Sequence, residues 1–399
     1  MRFSIEARQV TNPRRPLRIA HCLKTVHSGG VERRRLSLAR YLDPNRFEQL
    51  LICTEASPEL TGQFVEAGCP VVQIGPMRHK IDFGRIRSVT KVVRRFAPDI
   101  IHGAVFEGVA MAALGGRLAG VPTIVGEETA QPTTRRWRGH LYYRLLTMLT
   151  HKMVAVSPAV AEYLTRSLFI PPGKVQLVLN GVHEPPAASA GELARVRNQL
   201  SLHGDELVIG VVGRLKSPAN DPPDSHKRVA DAIDALAIII REIPNARLLV
   251  VGDGPDRERL VERAAVQGVG HAAIFAGYQG QTRPFFEVMD VLAHPAGSEA
   301  FGLVLVEAMF AGLPVVATNV GGIPSVVEDG RTAFLIPPRR PDLLADRLLQ
   351  LLRNPAQRIE MGEAGCARAR ERFGEKRYVE DVAALYENLI ASRRRHGSA

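Results

Sequence analysis

The stretch HPAGSEAFGLVLVEAMFAGLPVVAT, residues 294–318, begins at the end of one predicted strand and continues through a helix into the next strand. An apolar strand ends at His294, a loop of small residues follows, and a helix is predicted to begin near Gly302 before the next strand, PVVAT. Strands that are apolar throughout and separated by helices are typical of a parallel sheet covered on both faces. In such sheets, ligands bind at the carboxyl ends of the strands, where loops lead into helices.

The same alternation extends in both directions along the chain. In the first half, apolar runs typical of buried strands occur at 17–23, 47–53, 99–103 and 153–156, among others. The pattern restarts after EPPAASAG (184–191), whose prolines and small residues suit a linker. We therefore predict an α/β chain of two consecutive doubly wound domains, residues 1–184 and 185–374.

The composition indicates a globular protein, because 45% of the 399 residues are hydrophobic and 23% are charged. No apolar run is long enough to span a membrane, and the first residues lack the apolar core of a secretory signal. The four cysteines show no C-x-x-C spacing, and we expect Cys22 and Cys53 to be buried in strands. These features predict a cytoplasmic location.

The positive charge of the chain is confined to its first half. Residues 1–180 contain 26 Lys and Arg against 13 Asp and Glu, whereas the rest contains 26 against 28, and the formal net charge is +11. Such an excess is compatible with nucleic acid, an anionic membrane surface or phosphate-bearing small molecules. The sequence has no zinc-finger spacing, RNA-binding aromatic signature or basic-zipper pattern, so we do not expect a nucleic-acid partner.

Two loops after predicted strands could bind phosphate groups. Gly29 and Gly30 open a helix, where backbone N–H groups can approach an anion, although a glycine turn required by packing explains them equally well. In GRLKSPANDPPDSHK (213–227), Arg214 and Lys227 flank a long loop, and two cations at a strand end suit a diphosphate. The alternative is that both are solvated surface charges.

A third loop, VGDGPDRERL (251–260), begins like a dinucleotide fingerprint with Gly252, but Arg257 stands where the third glycine belongs. This argues against a nicotinamide cofactor. In the loop after His294, backbone N–H groups and a helix N-terminus form a seat for an anion, and Glu299 and Glu307 could accept hydrogen bonds from sugar hydroxyls. A capped helix with two incidental glutamates is the alternative.

Residues 297–330, GSEAFGLVLVEAMFAGLPVVATNVGGIPSVVEDG, closely resemble the E-x7-E donor-binding region of the family 4 retaining glycosyltransferases. The resemblance runs through almost the whole chain, since SGGVE, VAVSPAVAEYL, LNGV, VGRL and VGDGP match family segments in the same order. It implies the GT-B fold, in which two Rossmann-like doubly wound domains face each other across a cleft. It also implies that the C-terminal helix (375–399) crosses back to the N-terminal, acceptor-binding domain.

The resemblance further implies roles for individual residues. Arg214 and Lys227 would stabilise the departing diphosphate, Glu299 would hold donor-sugar hydroxyls, and Glu307 would bind the ribose. The donor-binding set that it implies is Gly29, Gly30, Arg214, Lys227, Gly252, Ser298, Glu299, Ala300, Phe301, Gly302, Leu303 and Glu307. No metal and no other cofactor is expected, because cations and a helix dipole supply the positive charge and the sequence contains no D-x-D motif.

The sequence departs from the family pattern at several positions. Many members have a functional histidine after the fifth strand of the N-terminal domain, where this chain has Glu128, which could act as a general base or simply bind the acceptor. His102 also resembles a family position, with a satisfied strand-end histidine as the alternative. Ser325 replaces a usual glutamate, and the insertion before Lys227 makes the assignment of that lysine less secure than that of Arg214.

The basic N-terminal half bears on the acceptor. Residues 133–152 interleave arginines with aromatic and leucine residues, so Arg135, Arg136, Trp137 and Arg138 could lie on an interfacial helix that docks on anionic lipid. An ordinary crossover helix with a basic outer face is the alternative. A lipid-linked acceptor would place the protein on the inner face of the cytoplasmic membrane.

The function that we expect is transfer of a hexosyl group, with retention, from a nucleotide diphosphate sugar to a saccharide or lipid-linked acceptor. Cell-surface polysaccharide or lipopolysaccharide biosynthesis would be its setting. A nucleotide-sugar epimerase on the same fold and a catalytically silent sugar-nucleotide-binding protein are the alternatives.

Overall fold

The structure is a computed structural model, and it describes residues 15–27, 29–77, 79, 82–130, 137–216 and 226–397. The first sheet has seven parallel strands in the order β3-β2-β1-β4-β5-β6-β7. Its strands are β1 (Leu17–Val26), β2 (Phe47–Ala56), β3 (Val71–Gln73), β4 (Ile100–Ala104), β5 (Thr123–Glu128), β6 (Lys152–Ala155) and β7 (Val175–Leu177).

The second sheet has six parallel strands in the order β10-β9-β8-β11-β12-β13. Its strands are β8 (Leu207–Val212), β9 (Ala246–Val251), β10 (Ala273–Gly277), β11 (Val291–His294), β12 (Val315–Thr318) and β13 (Ala333–Ile336). In both sheets the strand order reverses beside the first strand, at β1/β4 and at β8/β11, which creates a crevice at the carboxyl ends of the strands.

Helices connect the strands and cover both sheets. In the first half they are α1 (Gly30–Tyr41), α2 (Pro58–Glu66), α3 (Phe83–Phe96), α4 (Val105–Ala110), α5 (Gly116–Ala119), α6 (Trp137–Met148) and α7 (Pro158–Glu162). Wider turns at Met111–Gly115 and Tyr163–Ser167 join or extend α4, α5 and α7, and Pro172–Lys174 forms a short tight turn. In the second half they are α8 (Ala190–Gln199), α9 (Val229–Ile239), α10 (Arg257–Val266), α11 (Arg283–Phe286), α12 (Leu303–Phe310), α13 (Ile323–Val326), α14 (Pro341–Arg353), α15 (Pro355–Phe373) and α16 (Glu375–Gly397).

Local sequence explains where several helices begin. Ser57 and Ser157 each accept a hydrogen bond from a backbone N–H of the helix that follows, and proline occupies the first turn of both helices. At the end of the expected linker, Ser189 and Glu192 form a reciprocal capping box that starts α8. The extended segment from Glu184 therefore ends at a well-defined helix start.

The C-terminal helix α16 packs on the first sheet. Tyr378, Val382 and Tyr386 lie in one buried cluster with Ile19 of β1 and Ile100 of β4. The chain also returns beside its own outgoing segment, because Val182 N–H donates to the carbonyl of Phe373. Two Rossmann-like sheets and a helix that crosses back confirm the predicted fold class. Among the described residues, no helix has the length and apolar character needed to cross a membrane.

Candidate active site

The crevice of the second sheet brings together the loops after β8 and β11. Lys227, which precedes α9, places Nζ 2.8 Å from Oε2 of Glu299 in the loop after β11. His294, at the end of β11, lies beneath them with Nε2 3.4 Å from the same oxygen. The sequence-predicted cation and carboxylate are therefore in direct contact, although 72 positions separate them in the chain.

The electrostatics of this pair keep the Glu299 carboxylate ionised. Burial by itself would raise the pKa of Glu299, but the Lys227 ammonium and the His294 ring together outweigh burial and hold that pKa well below its usual range. Burial, together with the charge of Lys227, lowers the pKa of His294, so its imidazole is neutral at pH 7. The site therefore contains one ion pair above a neutral histidine.

Arg214 follows β8 and is exposed to solvent. Within the part of the chain that the structure describes, no hydrogen bond or ion pair of its guanidinium is found, so this charge is available to a ligand. It lies close to Lys227, because a Cβ at the preceding Gly213 would lie 3.3 Å from Cε of that lysine. The two predicted diphosphate-binding cations thus occupy the same end of the sheet.

Glycines allow the loops after β8 and β9 to pack backbone against backbone. Gly252 has φ +139°, and a Cβ there would overlap the carbonyl oxygen of Gly213. A Cβ at Gly254 would likewise overlap the carbonyl oxygen of Leu215. The N–H of Leu215 donates to the carbonyl of Asp253 at 3.0 Å. The structure thus gives Gly252 a packing contact behind Arg214, and direct donor binding by this glycine stays a prediction.

The loop between Glu299 and α12 is held by backbone contacts. Gly322 N–H donates to the carbonyl of Glu299 at 2.8 Å, and a Cβ at Gly322 would overlap the carbonyl of Ala300. Gly302 adopts φ +100° at the start of α12. Phe301 is buried edge-on against Phe373 of α15, so this residue can offer a ligand its backbone only.

Ser298, in the same loop, hydrogen-bonds His226. Its Oγ lies 2.9 Å from Nδ1 of the histidine, and Gly297 N–H donates to the His226 carbonyl, also at 2.9 Å. Ser298 therefore connects the two loops of the crevice. Residues 217–225, which include most of the predicted insertion, lie outside the described residues.

The two domains meet where α1 faces α12. Arg33 of α1 places Nη1 3.6 Å from Oε1 of Glu307, and a Cβ at Gly30 would overlap Cδ1 of Leu303. These four residues line a cavity of about 820 Å³ between the domains. Gly30 and Glu307, predicted to bind the donor from opposite domains, therefore lie on the same cleft. Gly29 precedes Gly30 and is packed against the Glu32 carboxylate.

His102 lies mid-strand in β4 and is fully buried. Its Nδ1 is 2.7 Å from the hydroxyl of Tyr386 in α16, and its Nε2 is 3.3 Å from Glu127. Burial lowers the pKa of His102 to about 4. The expectation that His102 is catalytic is not supported by this position, since the side chain cannot touch a substrate; its role here is to join the sheet to the C-terminal helix.

Glu128 ends β5 and is also buried. Its carboxylate accepts hydrogen bonds from the backbone N–H groups of Thr129 and Ala130, each at 3.1 Å. This local contact shapes the loop after β5. A role in orienting the acceptor stays a prediction.

A buried ionic cluster around Glu127 was missed by sequence reasoning. The carboxylate contacts Arg34 at 3.0 Å and Arg35 at 2.6 Å, and Arg34 also donates to Asn180 beside the domain crossover. These residues connect the glycine loop, β5 and the crossover segment. The available signal was the pair of arginines on the otherwise apolar inner face of α1.

The crevice of the first sheet contains an ion pair that sequence reasoning also did not predict. Lys24 at the end of β1 lies 2.9 Å from Glu107 of α4, and Val105 beside it has φ +64°. A β-branched residue in the left-handed region is strained, and such strain is concentrated at functional sites.

Helix α6 presents large apolar side chains to solvent. Trp137 is 70% and Met148 65% exposed, and Leu141, Tyr142 and Leu145 between them are about half exposed. Arg138 lies over the Trp137 ring. Arg135 and Arg136 lie outside the described residues.

Comparisons with known proteins show which family and fold this chain resembles. A family model for group 1 glycosyl transferases matches residues 194–368, and one for a glycosyl transferase 4-like domain matches residues 29–181. An N-acetyl-alpha-D-glucosaminyl L-malate synthase of Bacillus anthracis is 35% identical over 41% of this chain and 42% of its own length. A D-inositol 3-phosphate glycosyltransferase of Segniliparus rotundus is 32% identical over 60% of this chain and 52% of its own length. These matches thus span about half the length of the curated relatives.

Solved structures share the fold. Anabaena Alr3699/HepE in complex with UDP-glucose superposes with a TM-score of 0.81 at 20% identity, over 93% of this chain and 100% of the other. WaaG, a glycosyltransferase involved in lipopolysaccharide biosynthesis, superposes with a TM-score of 0.68 at 18% identity, over 92% of this chain and 99% of the other. The fold and the family models together define a glycosyltransferase. The chain belongs to family 4 of these enzymes, with the GT-B fold.

Proposed function

We propose that the protein transfers a hexosyl group, with retention of anomeric configuration, from a nucleoside diphosphate sugar to a saccharide or lipid-linked acceptor. The observation that carries this proposal is the Lys227–Glu299 pair beside Arg214, whose guanidinium has no partner among the described residues, at the point where the strand order of the second sheet reverses. A related fold bound to UDP-glucose makes a UDP-sugar the first donor to test.

The charges of the site suit departure of a diphosphate. Arg214 and Lys227 would neutralise the negative charge that grows on the leaving phosphate, and the amides at the start of α12 would add a favourable dipole. When the donor binds, Lys227 would turn to phosphate, and Glu299 would then accept hydrogen bonds from sugar hydroxyls. The proposal assigns charge neutralisation to these side chains rather than to a metal ion or other cofactor.

The reaction would proceed on one face of the sugar. The acceptor hydroxyl would bond to the anomeric carbon on the face that the diphosphate leaves, while the bond from that carbon to the phosphate oxygen breaks. The hydroxyl proton would pass to the departing phosphate. Glu307, in the cleft, would accept hydrogen bonds from the nucleotide ribose in place of its contact with Arg33.

The test is donor turnover by purified enzyme, with UDP-, GDP- and ADP-hexoses supplied alone and with acceptor extracts. Lys227→Ala is expected to lower turnover about 10²–10³-fold, as removal of a charge-stabilising donor does elsewhere. Glu299→Ala is also expected to lower turnover, because the sugar hydroxyls would lose their acceptor. Glu258→Ala, an exposed carboxylate on α10, and Lys91→Ala, an exposed lysine on α3, are the matched controls. Proton NMR of the product reports its anomeric configuration.

Two outcomes would replace the proposal. An altered sugar recovered from the donor without acceptor would favour the epimerase, and nucleotide binding without turnover would favour a silent binding protein.

The malate and inositol phosphate in the curated relatives' names make small anions a competing acceptor class, which the basic first half of the chain also suits. L-malate and D-inositol 3-phosphate therefore belong in the acceptor panel.

We also propose that α6 docks the enzyme on an anionic membrane from the cytoplasmic side, as polysaccharide or lipopolysaccharide assembly would require. Its exposed apolar face runs through Trp137, Leu141, Leu145 and Met148, and the helix contains no acidic residue. Cations surround this face: Arg138 and Arg144 lie on the helix, and Lys174 donates to the carbonyl of Met148 at its end. An apolar stripe with a basic rim matches an anionic lipid interface.

Co-sedimentation with phosphatidylglycerol vesicles tests the docking surface. Binding is expected at low salt, with weakening at high salt and on phosphatidylcholine vesicles. Replacing Trp137 and Leu141 by serine should abolish it, whereas Phe83→Ser, an equally exposed aromatic on α3, should not. Equal binding by both variants, or none by the wild type, would contradict the proposal.

A further inference from the structure

Arg228, which directly follows Lys227, has an unusual backbone conformation. Its φ of 51° and ψ of 46° place it in the left-handed region at the start of α9. A side chain with a Cβ is disfavoured there, and such residues persist only where the surroundings hold them. The strain lies one residue from the cation of the proposed donor site.

A forked ion pair holds this conformation. Nε of Arg228 donates to Oδ2 of Asp231 at 2.7 Å, and Nη2 donates to Oδ1 at 2.6 Å. Asp231 lies in the first turn of α9 and is buried, and its own N–H donates to the carbonyl of Arg228 at 3.0 Å. Two parallel hydrogen bonds fix both the distance and the orientation of a guanidinium.

The chain is held equally firmly on the other side of Lys227. His226 accepts a hydrogen bond from Gly297 at its carbonyl, and its ring contacts the hydroxyl of Ser298, both in the loop that contains Glu299. Lys227 therefore stands between an attachment to the β11 loop and an attachment to α9. The backbone on both sides of Lys227 is thus tied to neighbouring elements.

We infer that Arg228 is a positioning residue, whose forked bond to Asp231 holds the backbone turn that directs Lys227 into the crevice where a diphosphate binds. Glycine at this position would allow the same turn without strain, but it would also allow other conformations. The Arg228–Asp231 ion pair favours one of these backbone conformations. This inference rests on the proposed role of Lys227.

The probe is inorganic pyrophosphate, whose dissociation constant is measured by calorimetry for the full-length protein. Lys227→Ala is expected to weaken binding about tenfold or more. Arg228→Gly and Asp231→Asn should each weaken it by a similar factor, because the backbone turn that directs Lys227 into the crevice would no longer be held. Arg259→Ala, which removes an exposed arginine from the neighbouring helix α10, is the matched control and should change nothing.

The set of variants distinguishes an effect on the position of Lys227 from an effect of the Arg228 charge and from a loss of protein stability. Asp231→Asn keeps the Arg228 charge, so weaker binding by this variant shows that orientation matters. Arg228→Lys keeps the charge without the fork and should also bind weakly. Melting temperatures measured in parallel show whether a variant is only less stable.

The results distinguish two failures. If Lys227→Ala binds pyrophosphate as the wild type does, the proposed role of Lys227 is wrong, and the inference falls with it. If Lys227→Ala binds weakly while Arg228→Gly and Asp231→Asn bind normally, the role of Lys227 stands and the positioning role of Arg228 is overturned.

Discussion

Arg33 of α1 and Glu307 of α12 lie on opposite walls of the cleft, with Nη1 3.6 Å from Oε1. Burial raises the pKa of Glu307, and the Arg33 guanidinium only partly opposes this rise. A carboxyl with a raised pKa favours folding while it is protonated, and that contribution is lost as the pH rises through its folded-state pKa. The Arg33 guanidinium therefore favours the ionised form of Glu307, which is the form that the proposed ribose contact would use.

Nucleotide affinity should depend on pH through this pair. As the pH falls through the raised pKa of Glu307, its carboxylate gains a proton and UDP should bind less tightly. Arg33→Ala raises that pKa further, so the loss should begin at a higher pH. Calorimetric titration with UDP from neutral to acidic pH checks this, and Glu307→Gln should remove the dependence. A pH profile that Arg33→Ala leaves unshifted would contradict the coupling.

Gly30→Ala should slow turnover by restricting the approach of the two domains. The added methyl would overlap Leu303 across the cleft, whereas a Cβ at Gly62 on α2 meets no atom within 4 Å. We expect kcat to fall about tenfold, equivalent to about 1.4 kcal/mol, and Gly62→Ala to have no effect. Combining Gly30→Ala with Leu303→Ala should restore the rate; without such rescue, the domain contact is not the cause.

Gly252→Ala should destabilise the second domain. The methyl would overlap the carbonyl oxygen of Gly213, and φ of +139° is itself unfavourable for alanine. No rotamer change relieves a clash with backbone, so we expect a loss of about 3 kcal/mol or more in the free energy of unfolding. Urea unfolding measures it. Gly173→Ala, where a Cβ has open space, should unfold as the wild type does.

Glu127→Gln should be among the most destabilising changes in the first domain. It leaves the guanidinium of Arg35, which is 1% exposed, without a charged partner. Removing one partner of a buried ion pair costs about 3–5 kcal/mol. Urea unfolding, followed by circular dichroism, measures the change. Glu162→Gln, which breaks an exposed pair with Arg166, should cost less than about 1 kcal/mol.

Acid should destabilise the protein through His102. Its pKa falls from 6.5 to about 4 on burial, so the folded state excludes a proton that the unfolded chain binds. The stability present above pH 6.5 is lost as the pH falls toward 4. His102→Gln should flatten this dependence in part, since burial also lowers the pKa of His21. His203→Gln, at an exposed site, should leave the slope unchanged, and an unchanged slope in His102→Gln would refute the assignment.

The position of much of the candidate site could be predicted because its signals are local. Glu299 and Glu307 belong to one loop and one helix, and Arg214 directly follows a strand, so spacing alone places them at a strand end. The contact between Lys227 and Glu299 depends on the adjacency of β8 and β11, which only the structure shows. Glycine 252 was expected at the donor, but only the structure showed the carbonyl against which it packs.

His102 and the cluster around Glu127 lay beyond sequence reasoning. His102 could equally have faced the crevice or the core, and its partner Tyr386 lies 284 positions away. Nothing in the periodicity of α1 indicates that Arg34 and Arg35 share one carboxylate from β5.

The amino-acid sequence by itself determined the alternation of strands and helices, the two sheets and the residues at the strand ends, because hydrophobic periodicity and turn residues act over a few positions. Only the tertiary structure decided which buried charges meet and which face of α6 stays exposed. Those outcomes depend on the distance and burial between segments far apart in the chain, which no local pattern encodes.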